Sequence, residues 1–144
     1  MSRVPFRLVV VVALAAIAAA CGPGAEVSPG PSAPASLEGT AWRAMSVSGV
    51  PAVAGREPTL VFTADQVNGT TGCNQFFGGY TYADGAITLS NVGMTLMACD
   101  DAVNTVEAAY TKALNGAATA AVDSDGRLLL SGSGGQVVFV PVSD

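Results

Sequence analysis

From Leu37 onward the apolar residues come in short runs, each closed within a few positions by Gly, Pro or an Asp-Gly pair. Such punctuation restricts a chain to short strands joined by tight turns. Alternation puts Trp42, Ala44 and Ser46 on one side of a first strand, after a turn at Gly39 and before a break at 48–51. Residues 59–63 are rich in β-formers and predict a second strand, and 66–70 a short third. Phe76, Phe77, Tyr80 and Tyr82 form an aromatic strand interrupted at Gly78 and Gly79, where a bulge or a close backbone approach is expected. Asp84 and Gly85 turn it into 86–90, with Ile87 and Leu89 inward. One segment departs from this rhythm: Val103, Val106, Tyr110, Ala113 and Leu114 recur at helical spacing, with Asp100 or Asp101 as cap and Gly116 just past the end. Further strands are expected at 119–122, 127–130 and 136–140. The expected fold is therefore α+β: a single compact domain in which a curled antiparallel sheet of about seven short strands is covered by one α-helix.

The chain before Leu37 obeys different rules. Arg3 and Arg7 precede thirteen uncharged apolar residues, Leu8 to Ala20, and the run ends at Cys21. As a helix this run rises about 20 Å, short of the roughly 30 Å hydrocarbon core, so an export signal fits better than a spanning anchor. Ala18, Ala19 and Ala20 directly before Cys21 resemble a bacterial lipobox, with Ala18 where Leu is usual. Residues 1–20 are thus expected to be a lipoprotein signal peptide and Cys21 the lipidated residue; secretion with cleavage after an Ala and a retained buried helix are the alternatives. Residues 22–36 hold four Pro, three Gly, three Ser and three Ala without apolar periodicity, so 21–37 is expected to be the lipidated Cys and its tether, and 38–144 the domain.

Charge and composition exclude several functions. Once the leader is removed, four Lys and Arg face eleven Asp and Glu, a net of -7, which disfavours nucleic acid and anionic lipid as partners. The chain has no histidine. That absence rules out a Ser-His-Asp triad, a Cys-His dyad, an imidazole base and every histidine-containing metal site. No strand, Gly-rich loop and helix follow one another in the order a dinucleotide or phosphate site requires, and no cofactor or metal is expected.

Three stretches carry the informative residues: Gly39-Thr40-Ala41-Trp42, Gly72-Cys73-Asn74-Gln75-Phe76-Phe77-Gly78-Gly79-Tyr80 and Met94-Thr95-Leu96-Met97-Ala98-Cys99. With Glu107, Tyr110 and Leu114 on the helix, they resemble the META domain family, which includes HslJ-type heat-shock lipoproteins. The resemblance covers nearly all of 38–140. It implies a compact α/β domain of bacterial envelope or secreted proteins, with no established catalytic residues or ligand.

The residues also have their own chemistry. An exported chain with three cysteines leaves one unpaired, and lipid attachment at Cys21 removes it, so Cys73 and Cys99 are expected to form a disulfide with Cα atoms about 4.4–6.8 Å apart. The alternatives are two reduced core cysteines, or a redox or metal pair, for which no C-x-x-C exists. Gly72, Asn74, Phe76, Gly79, Tyr80, Thr95, Met97 and Glu107 form the candidate structural or binding loop. Asn74 is expected to fix the loop through side-chain to backbone bonds. Glu107 lies in or beside the apolar stripe, where an unpaired carboxylate is costly, and is expected to accept bonds from backbone amides of the Gly72-Cys73-Asn74 loop. A catalytic acid would need a second carboxylate opposite, and Asp65, Asp84, Asp100 and Asp101 fall in turns or caps. Thr95, Met94 and Met97 are expected to pack around the bridge.

The expectation is a non-enzymatic envelope lipoprotein domain, tethered to a membrane through Cys21 on the extracytoplasmic side and binding or protecting an envelope component. The alternative is a small-molecule binding or inhibitory module that uses the aromatic segment 76–82 for a small apolar ligand.

Overall fold

The computed structural model describes residues 28–143. The signal peptide and the lipidation of Cys21 lie outside them. Ten elements follow in chain order: β1 (Ala41–Val47), β2 (Val50–Pro51), β3 (Thr59–Phe62), β4 (Gln66–Thr70), β5 (Gln75–Ala83), β6 (Ala86–Met94), α1 (Asp101–Asn115), β7 (Ala117–Val122), β8 (Leu128–Gly132) and β9 (Gly135–Pro141). Every strand pairing is antiparallel, and the strand order from β1 through β3 to β9 is closed by β1 pairing with β9, where Arg43 faces Val140 and Val47 faces Val137. The result is a closed eight-stranded barrel with β2 as a short appendage on β1. This corrects the expected fold, a curled antiparallel sheet of about seven short strands covered by one helix. An open sheet would leave two unpaired edges, and closure removes both.

Several local signals are realised as read. Asp84 (φ 49) and Gly85 (φ 85) both take positive φ between the paired Ala83 and Ala86, the two-residue type I′ hairpin that Asp-Gly favours. Register slips between Phe77 and Gly79, but the extra residue stands on the partner strand: Asn91 (φ 51) bulges on β6 opposite Gly78, whose missing Cβ lets the Ser90 carbonyl approach. In β1, Trp42 and Ala44 point inward as alternation predicts. Ser46 does not, because the pairing with β9 shifts between Ala44 and Ser46 and moves Val47 into the core instead.

Both mouths of the barrel are filled. The strands β1, β4, β6 and β8 end where β3, β5, β7 and β9 begin, and α1, linking β6 to β7, closes that end. Asp100 caps the helix by accepting from Val103 N, and the buried stripe is the one read from the sequence. Tyr110 is fully buried, its ring packs edge-on against Phe76 and Phe139, and its hydroxyl donates to Thr59 O at 3.0 Å. Desolvation holds this phenol well above its ordinary pKa, and so neutral. The helix end settles on the β8–β9 hairpin because Gly132 and Gly134 present bare backbone there; a Cβ on either would overlap the Gly116 or Lys112 carbonyl.

A strap crosses the opposite mouth. Ser32 exchanges two backbone bonds with Val122, Tyr82 Oη donates to Pro34 O at 2.6 Å, and Leu37, 1% exposed, enters the core. Residues 32–37, which composition groups with the tether, thus lie against the barrel. The Pro-rich strap lends the barrel the N–H and C=O of Ser32 and the carbonyl of Pro34, since proline lacks only the donor.

Candidate functional site

The polar centre of the molecule lies at the helix-capped mouth, where the β4–β5 loop, the segment between β6 and α1, and the second turn of α1 meet. The β4–β5 loop turns on Gly72, whose φ of 94 suits glycine and whose Cβ position is taken by the Arg56 carbonyl. Thr71 N donates to Asn74 O and Asn74 N to Thr71 Oγ1, both at 2.8 Å, which closes the turn. Arg56 Nη1 reaches Gly72 O at 3.4 Å.

This turn aims Asn74, 1% exposed, at Glu107. Asn74 Nδ2 donates to both Glu107 oxygens, at 3.0 and 2.9 Å, and to Met97 O at 3.2 Å. Its Oδ1 accepts from Thr95 Oγ1 at 2.9 Å and from Met97 N at 2.6 Å. Thr71 Oγ1 donates to Glu107 Oε2. Glu107 is therefore held by two side chains, Asn74 and Thr71, and not by the backbone amides anticipated for it. The Asn74 bonds do run to backbone at Met97, and also to two side chains. Beside this network Cys73 and Cys99 form a disulfide with Cα atoms 5.9 Å apart, across 26 positions of sequence. Asn104 ties the same corner to the helix: its Nδ2 donates to Cys99 O at 2.8 Å and its Oδ1 accepts from Cys99 N at 3.3 Å.

Of the residues singled out in the sequence, Gly72, Asn74, Thr95, Met97, Glu107, Cys73 and Cys99 meet here. Met97 joins through its backbone, its carbonyl oxygen 3.4 Å from Cys73 Sγ, while the residue stays 60% exposed. Phe76, Gly79 and Tyr80 do not join the network. Phe76 fills the barrel against Tyr110, and Gly79 lies farther along β5, where a Cβ would press on Ser90 Oγ. Tyr80 packs on Phe62 and donates to Thr63 O at 2.9 Å near the strap. Burial, with Glu38 and Asp65 nearby, raises the Tyr80 pKa. A surface depression of about 360 Å³ runs past Leu37, Glu38, Tyr80 and Tyr82, and both phenol hydroxyls donate their protons to backbone carbonyls. Thr71, Arg56 and Asn104 were not singled out. Thr71 abuts the loop motif, a position that signals a turn residue; the other two carry no local signature.

Similarity to known proteins accords with this architecture. A family model described as META domain matches residues 35–144. The chain belongs to the META domain family. That membership points to a bacterial, envelope-related domain. The META barrel is also similar to two solved structures. One, an NMR structure of a protein from Burkholderia xenovorans, is 26% identical with a TM-score of 0.65, over 82% of this chain and 94% of that one. The other, an NMR structure of a protein, is 23% identical with a TM-score of 0.58, over 72% and 89% of the two chains, and supports the fold alone. No curated protein matches. Among the described residues, no group of three or more Cys, Asp or Glu is placed to hold a metal ion, and no helix of this META domain is long and apolar enough to cross a membrane.

Proposed function

We propose that this META domain is the extracytoplasmic, non-enzymatic part of a lipoprotein, anchored through Cys21 and engaging an envelope component by its surface. The Cys73–Cys99 bridge carries the reading: disulfides persist in oxidising, extracytoplasmic compartments, and a lipobox-like leader precedes this one. The polar centre supports a structural use for its residues. Asn74 spends its whole bonding capacity inside the protein, and both Glu107 oxygens accept from Asn74, with Thr71 as a second donor, which suits a pair that fixes the loop against the helix.

The test compares wild type with Cys21→Ser after cell fractionation. Wild type is expected in the membrane fraction and the variant in the soluble extracytoplasmic fraction. Equal distribution of the two would end the anchoring claim.

A further inference from the structure

Leu96 and Met97 are 92% and 60% exposed, whereas few other large apolar side chains among the described residues are. The backbone on either side of Leu96 is nevertheless held in place. Thr95 N donates to Gln75 O at 3.0 Å, Asn74 grips both Met97 N and Met97 O, Asn104 grips both Cys99 N and Cys99 O, and Cys99 is bridged to Cys73. One amide can reach the N–H and C=O of a single residue only where both point the same way, as they do in extended chain. The odd-numbered residues of 95–99 thus turn their backbone groups inward. The even-numbered ones, Leu96 and Ala98, turn theirs outward, and among the described residues these make no hydrogen bond. A buried asparagine and a disulfide are committed to presenting an extended, apolar, hydrogen-bond-ready segment to the outside.

We infer that 95–99 is a preorganised loop for the active-site cleft of a serine endopeptidase with an apolar primary pocket, and that the domain inhibits such an enzyme. These clefts bind chain in extended form through backbone bonds and take one side chain into a deep pocket, here that of Leu96. A loop already fixed in the bound conformation loses little entropy on docking. The hold on Met97 also explains how cleavage is resisted. Attack by the enzyme's serine hydroxyl on the Leu96 carbonyl forms an acyl ester and releases the Met97 amine, which takes the hydroxyl's proton through the enzyme's general base. Asn74 Oδ1 keeps that amine in place, and the Cys99 bridge tethers it two residues on, so it returns to the ester carbonyl and restores the peptide bond. Asn74 is here a positioning residue. The inference deepens the proposed function by naming the partner as a peptidase, and it rests on that reading only for where the two would meet.

The test uses the full chain, purified from whichever fraction holds it, so the outcome is independent of anchoring. Inhibition of chymotrypsin and subtilisin is expected with Ki below about 1 μM, with no effect on trypsin. Leu96→Asp is expected to weaken it by about 100-fold at an unchanged melting temperature. Leu96→Lys is expected to shift inhibition from chymotrypsin to trypsin, because the primary pocket chooses the side chain. Asn74→Ala is expected to be cut between residues 96 and 97, read by mass spectrometry; if it does not fold, the Leu96 variants carry the test alone. No inhibition of chymotrypsin or subtilisin at about 10 μM, rapid cleavage of wild type, or a Leu96→Lys variant with unchanged preference would each overturn the inference.

Discussion

Asn74 offers two N–H hydrogens and two oxygen lone pairs, and Glu107, Met97 and Thr95 use all of them. Its amide is consequently hard to replace, even by a residue of the same shape. Asn74→Asp would remove both donors and set a second carboxylate against Glu107, and a cost of about 3–5 kcal/mol at neutral pH is expected. Two facing carboxylates raise the pKa of the pair above its unfolded value. A group raised in the folded state contributes stability that is present below the unfolded pKa and lost as pH rises through the folded one. The gap between wild type and variant should therefore be smaller at pH 5 than at pH 8 in denaturant titrations, and a gap that ignores pH would contradict this account. At this scale the sequence showed that Asn74 and Glu107 matter, from a loop motif and from a carboxylate inside an apolar stripe. It could not show Thr71 as the second donor, because a hydroxyl in a turn has many local uses and the Glu107 contact spans 36 positions.

Turns were the most legible elements, and the β7–β8 turn supplies a second pH test. Asp123 accepts from Asp125 N and Arg127 N, both at 2.9 Å, and from Arg127 Nε at 2.8 Å. Its carboxyl is held below the ordinary range first by the Arg127 backbone bond, opposed by some burial, and then by the Arg127 side chain and the Asp125 amide. A depressed carboxyl contributes stability present above its unfolded pKa and lost as pH falls through the folded value. Asp123→Ala is expected to lower the melting temperature at pH 7, with the deficit shrinking as pH drops below about 4; a deficit that persists in acid would argue for a purely steric role. The helix was equally legible from its cap, its stripe and Gly116. The length of β6 was not, because 91–94 contain a bulge and a glycine that break the alternation on which strand reading depends.

Over the whole molecule, the disulfide and the barrel closure divide the work of holding the helix-capped end. The bridge fixes the segment before α1 to the β4–β5 loop, while closure rests on β1–β9 pairing and on a core that includes Leu37, Phe62, Phe76, Tyr110 and Phe139. Cys73→Ser with Cys99→Ser is expected to cost about 3.5 kcal/mol by loop entropy, seen as a lower denaturation midpoint, with the circular dichroism of the barrel retained. Loss of the β signal would mean that the bridge, and not strand pairing, holds the fold.

Short strands, the Asp84-Gly85 hairpin, the helix with its cap, and the pairing of Cys73 with Cys99 follow from the sequence, because each depends on neighbours within a few positions or on cysteine parity and compartment. Closure of the sheet, the seat of the helix on a mouth instead of a face, the strap across the other mouth, and the use of the Asn74 side chain instead of loop backbone amides to hold Glu107 were decided by tertiary structure alone. These depend on residues brought together across 33 positions for that side-chain pair and nearly the whole domain for β1 and β9. A strand destined for a barrel seam has the same alternation as one destined for an open edge. Only the curvature summed over all eight strands brings the last beside the first.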